Sequence, residues 1–218
     1  MDNQKQNPEF VKPIGDTAVF PTPVRISELP RNFTFEELDY ISSLLLVSNE
    51  GNKISEEGFV LNNPSLQNLK SFCLQELTSF CREMVSLPEN LRPYITQSWV
   101  NSTQAGEYHH SHTHPNSYIS GVLYINALEH VDRIYFHREE PGYIKFQPSK
   151  YNIFNSPTWF FQVWTKALIL FPSSLEHSVY TVGGDHSRIS LSFNTFLEGE
   201  LGDYSEKTYL HLSPPLKG

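Results

Sequence analysis

"GEYHHSHTHPNSYISGVLYIN", residues 106–126, sets His109, His110, His112 and His114 directly before an apolar, β-branched run. Side chains alternate across an extended segment, so residues of equal parity share a face. His112 and His114 are two apart, and their parity continues through Tyr118, Ser120, Val122 and Tyr124. Two imidazoles at that spacing converge on one point, which suits two ligands of a borderline metal ion. A third ligand must come from elsewhere. His110 with His112 is an alternative pair, and Glu107 and Glu176 are the nearest acids.

Two later stretches supply partners. "LILFPSSLEHSVYTV", residues 168–182, ends an apolar strand in a Pro-Ser-Ser turn and then presents His177, the natural third ligand. "RISLSFN", residues 188–194, puts Arg188, Ser190, Ser192 and Asn194 on one face and Ile189, Leu191 and Phe193 on the other. A guanidinium at the head of a buried strand needs an anionic partner, and its planar fork suits a carboxylate. Asp185 or Glu198 in an ordinary ion pair is the competing partner. His109 and His110 are expected at the solvent mouth of the strand, and His130, His137, His186 and His211 at the surface.

Around this centre the chain reads as one domain with four stretches. Residues 1–30 carry Pro8, Pro13, Pro21, Pro23 and Pro30, so they should be extended. Residues 31–95 are helical. "TFEELDYISSLLLV" opens with a capping box, Thr34 and Glu37, and spaces Phe35, Leu38, Ile41 and Leu45 along one helical face. A second helix starts at Asn63–Pro64, buries Leu69, Phe72, Cys73, Leu77, Phe80 and Met84, and closes before Pro88. Residues 96–200 hold short strands: "TQSWVNS", "SYISGVLYI", "DRIYFH", "GYIKF", "NIFN", "FFQVW", "ALILF", "EHSVYTV" and "RISLSFNTF". That spacing predicts a mainly β fold, an antiparallel jelly roll with the N-terminal helices packed on one sheet. Residues 201–218 form a C-terminal segment, and the polar, acidic "EGELGDYSEK", residues 198–207, is expected to cap the domain from outside.

Net charge is −8 with no Lys/Arg cluster, which argues against a phosphate backbone as partner. Cys73 and Cys81 are eight residues apart on one helix, about 12 Å of rise, too far for a disulfide. Two buried thiols fit a reducing cytoplasm. The opening "MDNQKQNPEF" has neither the basic nor the apolar part of a signal peptide, and no apolar run could span a bilayer. A homodimer is the default expectation for assembly.

The motifs "HTHPNSYISGVLYIN", "LILFPSSLEHSV" and "RISLSFN", with "VFPTPV" and "SWVN" before them, resemble a family of iron(II)- and 2-oxoglutarate-dependent oxygenases of bacteria and marine phages. The resemblance spans most of the chain, and its specific motifs lie within residues 97–196. It implies a double-stranded β-helix that binds iron(II) through His112, His114 and His177, with 2-oxoglutarate as cosubstrate and ascorbate as a stimulant. Arg188 would pair with the distal carboxylate, Ser190 beside it. "VLYIN" is similar to a segment of the prolyl-hydroxylase branch, so Tyr124 would donate its hydroxyl to the same carboxylate. Asn101 would meet cosubstrate or substrate, and His110 and Trp164 would stand at the substrate mouth. The substrate would be a small molecule or a peptide.

One departure stands out. The usual facial triad is two histidines and a carboxylate. Here His114 takes the acid's place, leaving the site one charge more positive. Two rival readings follow. A cupin enzyme shares the Gly and His-x-His opening, but Tyr118 and Ile119 stand where its Glu belongs. A non-catalytic metal-binding barrel is the other.

Overall fold

The computed structural model describes residues 15–16, 18–138, 144 and 146–213. In chain order its elements are β1 (Arg25–Glu28), α1 (Phe35–Ser43), β2 (Leu46–Ser48), β3 (Lys53–Ser55), α2 (Gln67–Met84), β4 (Leu91–Thr103) and β5 (His109–His112). There follow β6 (Ile119–Asn126), β7 (Arg133–His137), β8 (Thr158–Gln162), β9 (Ala167–Pro172), β10 (His177–Val179), β11 (Arg188–Leu201) and β12 (Leu210–Leu212). One sheet runs β1-β9-β6-β11-β4-β3-β2, with β12 also on β11, and a second runs β5-β10-β7-β8. All strand pairs are antiparallel.

The large sheet is covered on both faces, which is why its central strands read as unbroken apolar runs. Along β9, Leu168 and Leu170 join the core shared with α2, while Ile169 and Phe171 join the core facing the small sheet. β6 divides likewise, Leu123 and Ile125 toward α2, Val122 and Tyr124 toward the small sheet. Leu69, Cys73, Leu77 and Phe80 of α2 are fully buried in the first core, as the 3.6-residue pattern requires. This is the expected mainly β jelly roll with a helix packed on one sheet. Among the described residues, no helix is long and apolar enough to cross a membrane.

Several local expectations are corrected. α1 stops at Ser43, because Ser42 and Ser43 turn their hydroxyls back onto the carbonyls of Asp39 and Tyr40 and Leu46–Ser48 leaves to pair with β3. Of its anticipated apolar face only Ile41 is buried; Phe35 is 83% exposed. Asn63 does cap, but it caps a 3-10 turn, Pro64–Leu66, that precedes α2, and Met84 at the far end is exposed. Residues 152–155 form a turn built on Asn152 and Asn155 side-chain bonds to backbone N–H groups. The strand expected at 142–146 lies largely outside the described residues.

Candidate metal and cosubstrate site

The histidine strand does not continue into β6. After His112 the chain crosses from the small sheet to the large one through Pro115–Asn116, with Asn116 in the left-handed region (φ 59°). The common parity of His112 through Tyr124 is therefore interrupted by a sheet-switching corner. The corner nonetheless leaves His114 close to His112, with ring centroids 4.9 Å apart. His177 lies directly across from His112 in the β10–β5 pairing, rings 4.3 Å apart. One ligating nitrogen from each of His112, His114 and His177 falls within 4.8 Å of the others.

Two of the three rings are aimed by the backbone. His112 Nδ1 is 2.9 Å from the His110 carbonyl and His177 Nδ1 is 3.0 Å from the Leu175 carbonyl. A carbonyl can only accept, so each Nδ1 carries the proton and each Nε2 keeps its lone pair for a ligand. His114 Nε2 and His177 Nε2 are 3.3 Å apart. Nitrogens about 2.1 Å from a shared divalent ion would stand roughly 3.0–3.4 Å from each other, so the set fits one. Burial pushes His177 down to about 2 and His114 down to about 4, and it lowers His112 as well, so all three are neutral at pH 7.

Arg188 lines the same cavity and is 3% exposed. Its Nη2 makes one long bond to Thr103 Oγ1 at 3.5 Å, and its buried Nη1 has no partner among the described residues. Neither Asp185 nor Glu198 pairs with it. A buried, unneutralised guanidinium beside three neutral imidazoles is costly unless an anion arrives. Across the sheet, Ser190 is registered between Asn101 on β4 and Tyr124 on β6, and all three line the cavity. Asn101 donates to Ser192 Oγ (2.9 Å) while its buried Oδ1 is left unpaired. Burial pushes the Tyr124 hydroxyl up to about 12 against the pull of Arg188, so it remains a proton donor.

His110 is half-buried in an outer groove with Tyr108, His137 and Tyr180. Trp164 does not stand at the mouth. It sits between β8 and β9, packs on the inter-sheet core and donates to Glu28 Oε2 (2.9 Å), away from both cavities. His109 is not a solvent residue: it stacks on His112 at 4.6 Å and lines the inner cavity, and burial pushes it down to about 3. His186 is not free either, since its Nε2 meets the buried Asp132 carboxylate at 2.8 Å. Trp99, stacked on His114 at 5.6 Å, was visible only as part of "SWVN"; no local pattern announces a contact between β4 and the corner.

Residues 97–194 match a family model described as "Putative 2OG-Fe(II) oxygenase". Among solved structures, an oxidoreductase of the 2OG-Fe(II) oxygenase family from Burkholderia pseudomallei is similar at 16% identity, with 78% of this chain and 83% of that one covered and a TM-score of 0.53. HygX from Streptomyces hygroscopicus, solved with nickel, 2-oxoglutarate and hygromycin B, is similar at 11% identity, covering 80% and 82%, TM-score 0.55. A prolyl hydroxylase from Trichoplax adhaerens, in complex with a hypoxia inducible factor peptide fragment, is similar at 18% identity, covering 79% and 83%, TM-score 0.50. At these identities the structural likeness establishes the fold. No curated protein matches the sequence. The family match falls on the segment that carries the His-x-His, the distal His and the Arg, and it bears out the oxygenase resemblance with its iron(II) and 2-oxoglutarate.

Proposed function

We propose that this chain, whose residues 97–194 belong to the 2OG-Fe(II) oxygenase family, holds iron(II) on His112, His114 and His177 and anchors 2-oxoglutarate on Arg188 to hydroxylate a C–H bond. The observation that carries this assignment is the unpaired Arg188 guanidinium in one cavity with three convergent imidazoles. Iron and 2-oxoglutarate, when bound, would supply the oxidation with dioxygen as the oxidant, one of its oxygen atoms entering succinate as 2-oxoglutarate loses carbon dioxide and the other becoming the hydroxyl on carbon.

The chain's own residues bind and orient. Arg188 neutralises the distal carboxylate with a planar pair of donors, and Tyr124 and Ser190 offer hydroxyls from the adjacent register positions. Asn101 Oδ1 offers an acceptor to a substrate N–H or O–H. Neutral imidazoles leave the ion's charge uncompensated by protein, and with the distal carboxylate paired to Arg188 the other carboxylate of the cosubstrate would offset part of it. None of these groups has to move a proton.

The substrate reaches this site from the outer groove, about 430 Å³, which shares His109 and Val179 with the inner cavity. That volume suits a small molecule or a few residues of a peptide. The groove is lined by Tyr108, Tyr180, three histidines and hydroxyls, with no Lys, Arg, Asp or Glu among its lining residues, so a hydrogen-bonding part of the substrate lies there. Purified protein given iron(II), ascorbate and 2-oxoglutarate is expected to release succinate slowly even without substrate. Release no faster than from His177→Ala would contradict the assignment.

A further inference from the structure

The Pro-Ser-Ser turn between β9 and His177 has no part in the chemistry above, yet its Ser173 is fully buried and bonded to the corner that carries His114. The Ser173 carbonyl accepts the His114 N–H at 2.9 Å, and the Ser173 N–H donates to the Tyr118 carbonyl at 3.1 Å. Ser173 Oγ donates to Ser117 Oγ (2.7 Å) and lies 2.8 Å from Ser120 Oγ, which lines the inner cavity. A hydroxyl carries one proton, so with that of Ser173 given to Ser117, Ser120 is the donor at the second contact. Ser117 Oγ in turn donates to the Ile119 carbonyl (3.2 Å) and accepts the Thr195 N–H (3.1 Å). Thr195, also fully buried, ties the corner to β11: its carbonyl accepts the Tyr118 N–H at 2.9 Å and its Oγ1 the Ile119 N–H at 3.0 Å.

His114 is the ligand that needs such support. His112 and His177 face each other in a strand pair, and a backbone carbonyl aims each ring. The His114 ring has no backbone partner among the described residues and rests against Trp99. We propose that Ser173 is a positioning residue, which through Ser117 and Ser120 locks the corner so that His114 Nε2 meets the ion held by His112 and His177. This rests on the reading of His114 as a ligand. The buried hydroxyls form a stiff unit, because a corner that shifted would leave one of them unpaired and dry.

Calorimetric titration of the full chain with manganese tests it, with the melting temperature of each variant recorded alongside. Ser173→Ala keeps the backbone bonds and removes the hydroxyl, and should weaken manganese about tenfold, the scale of a lost partner behind a ligand. The same change in a His114→Ala background should weaken it no further, because the ligand it positions is gone. Leu77→Ala, a truncation in the core beneath α2, should lower the melting temperature and leave manganese affinity unchanged, so lost stability does not mimic the effect. Should Ser173→Ala fail to fold, the half-buried Ser117 carries the same test. Ser117→Ala should show the same loss with the same dependence on His114, and Ser117→Thr, which keeps the hydroxyl, should bind as the wild type does. Wild-type affinity in Ser173→Ala while His114→Ala is weakened would overturn the positioning role, and so would an equal loss in both backgrounds. Unchanged affinity in His114→Ala would instead remove His114 from the ligand set, and the role of Ser173 with it.

Discussion

His114 is the residue on which the chemistry of this site turns, because it stands where a carboxylate is usual. Its ring lies against Trp99, and its Nε2 is 3.3 Å from that of His177. If it ligates, His114→Ala should lower manganese affinity at least about tenfold, the scale on which losing one supporting contact acts. His114→Asp should restore part of that affinity by returning a charged donor, which calorimetry would measure. Nearby, Asp132, the carboxylate whose charge acts on Arg188, is kept occupied: it accepts from His186 (2.8 Å) and from the Leu128 N–H (2.8 Å). The pair leaves Arg188 free for a ligand. His112, His177 and Arg188 stood out as candidates from their strand settings, whereas His114 reaches them through a corner that strand parity does not foresee. Trp99, His109 and the Asp132–His186 pair depend on which strands meet, and one sequence does not encode register in any local pattern.

At the scale of elements, α1 and β6 show how far local rules reach. Both hydrogen bonds of the Thr34–Glu37 capping box form, and Arg31 adds contacts of 2.6 and 2.9 Å to the same carboxylate. Burial pushes the Glu37 carboxyl up, but Arg31 and the Thr34 N–H outweigh it and hold it below its ordinary value of 4.5. A folded value below the unfolded one adds stability above about pH 4.5, and that stability is lost as pH falls through the folded value. Glu37→Gln should therefore cost about 1–2 kcal/mol near neutral pH, a penalty that shrinks in acid. Thermal melts across pH would show it. Where α1 ended was not legible, because strand pairing by Leu46–Ser48 competes with helix continuation. In β6, a Cβ at Gly121 would come within 2.1 Å of the Phe193 ring on the neighbouring strand. Gly121→Ala should cost about 1–3 kcal/mol by overpacking, read as a lower denaturation midpoint.

Across the whole molecule, the large sheet is a wall with two jobs. One face is sealed by α2 and gives the fold its main core, while the other carries Arg188, Ser190, Asn101 and Tyr124 toward the small sheet, which brings His112 and His177. The jelly roll was legible from the density of short strands, and the division of faces from the alternation in "RISLSFN". The crossing at Pro115–Asn116, which places His114 between the two sheets, was not. Metal and cosubstrate have to meet in this one cavity for the proposed reaction to run. Calorimetry with manganese in place of iron tests it most directly. 2-Oxoglutarate should bind only when manganese is present, and Arg188→Gln should weaken that binding at least about thirtyfold. Binding that ignores manganese, or an affinity unchanged in Arg188→Gln, would contradict it.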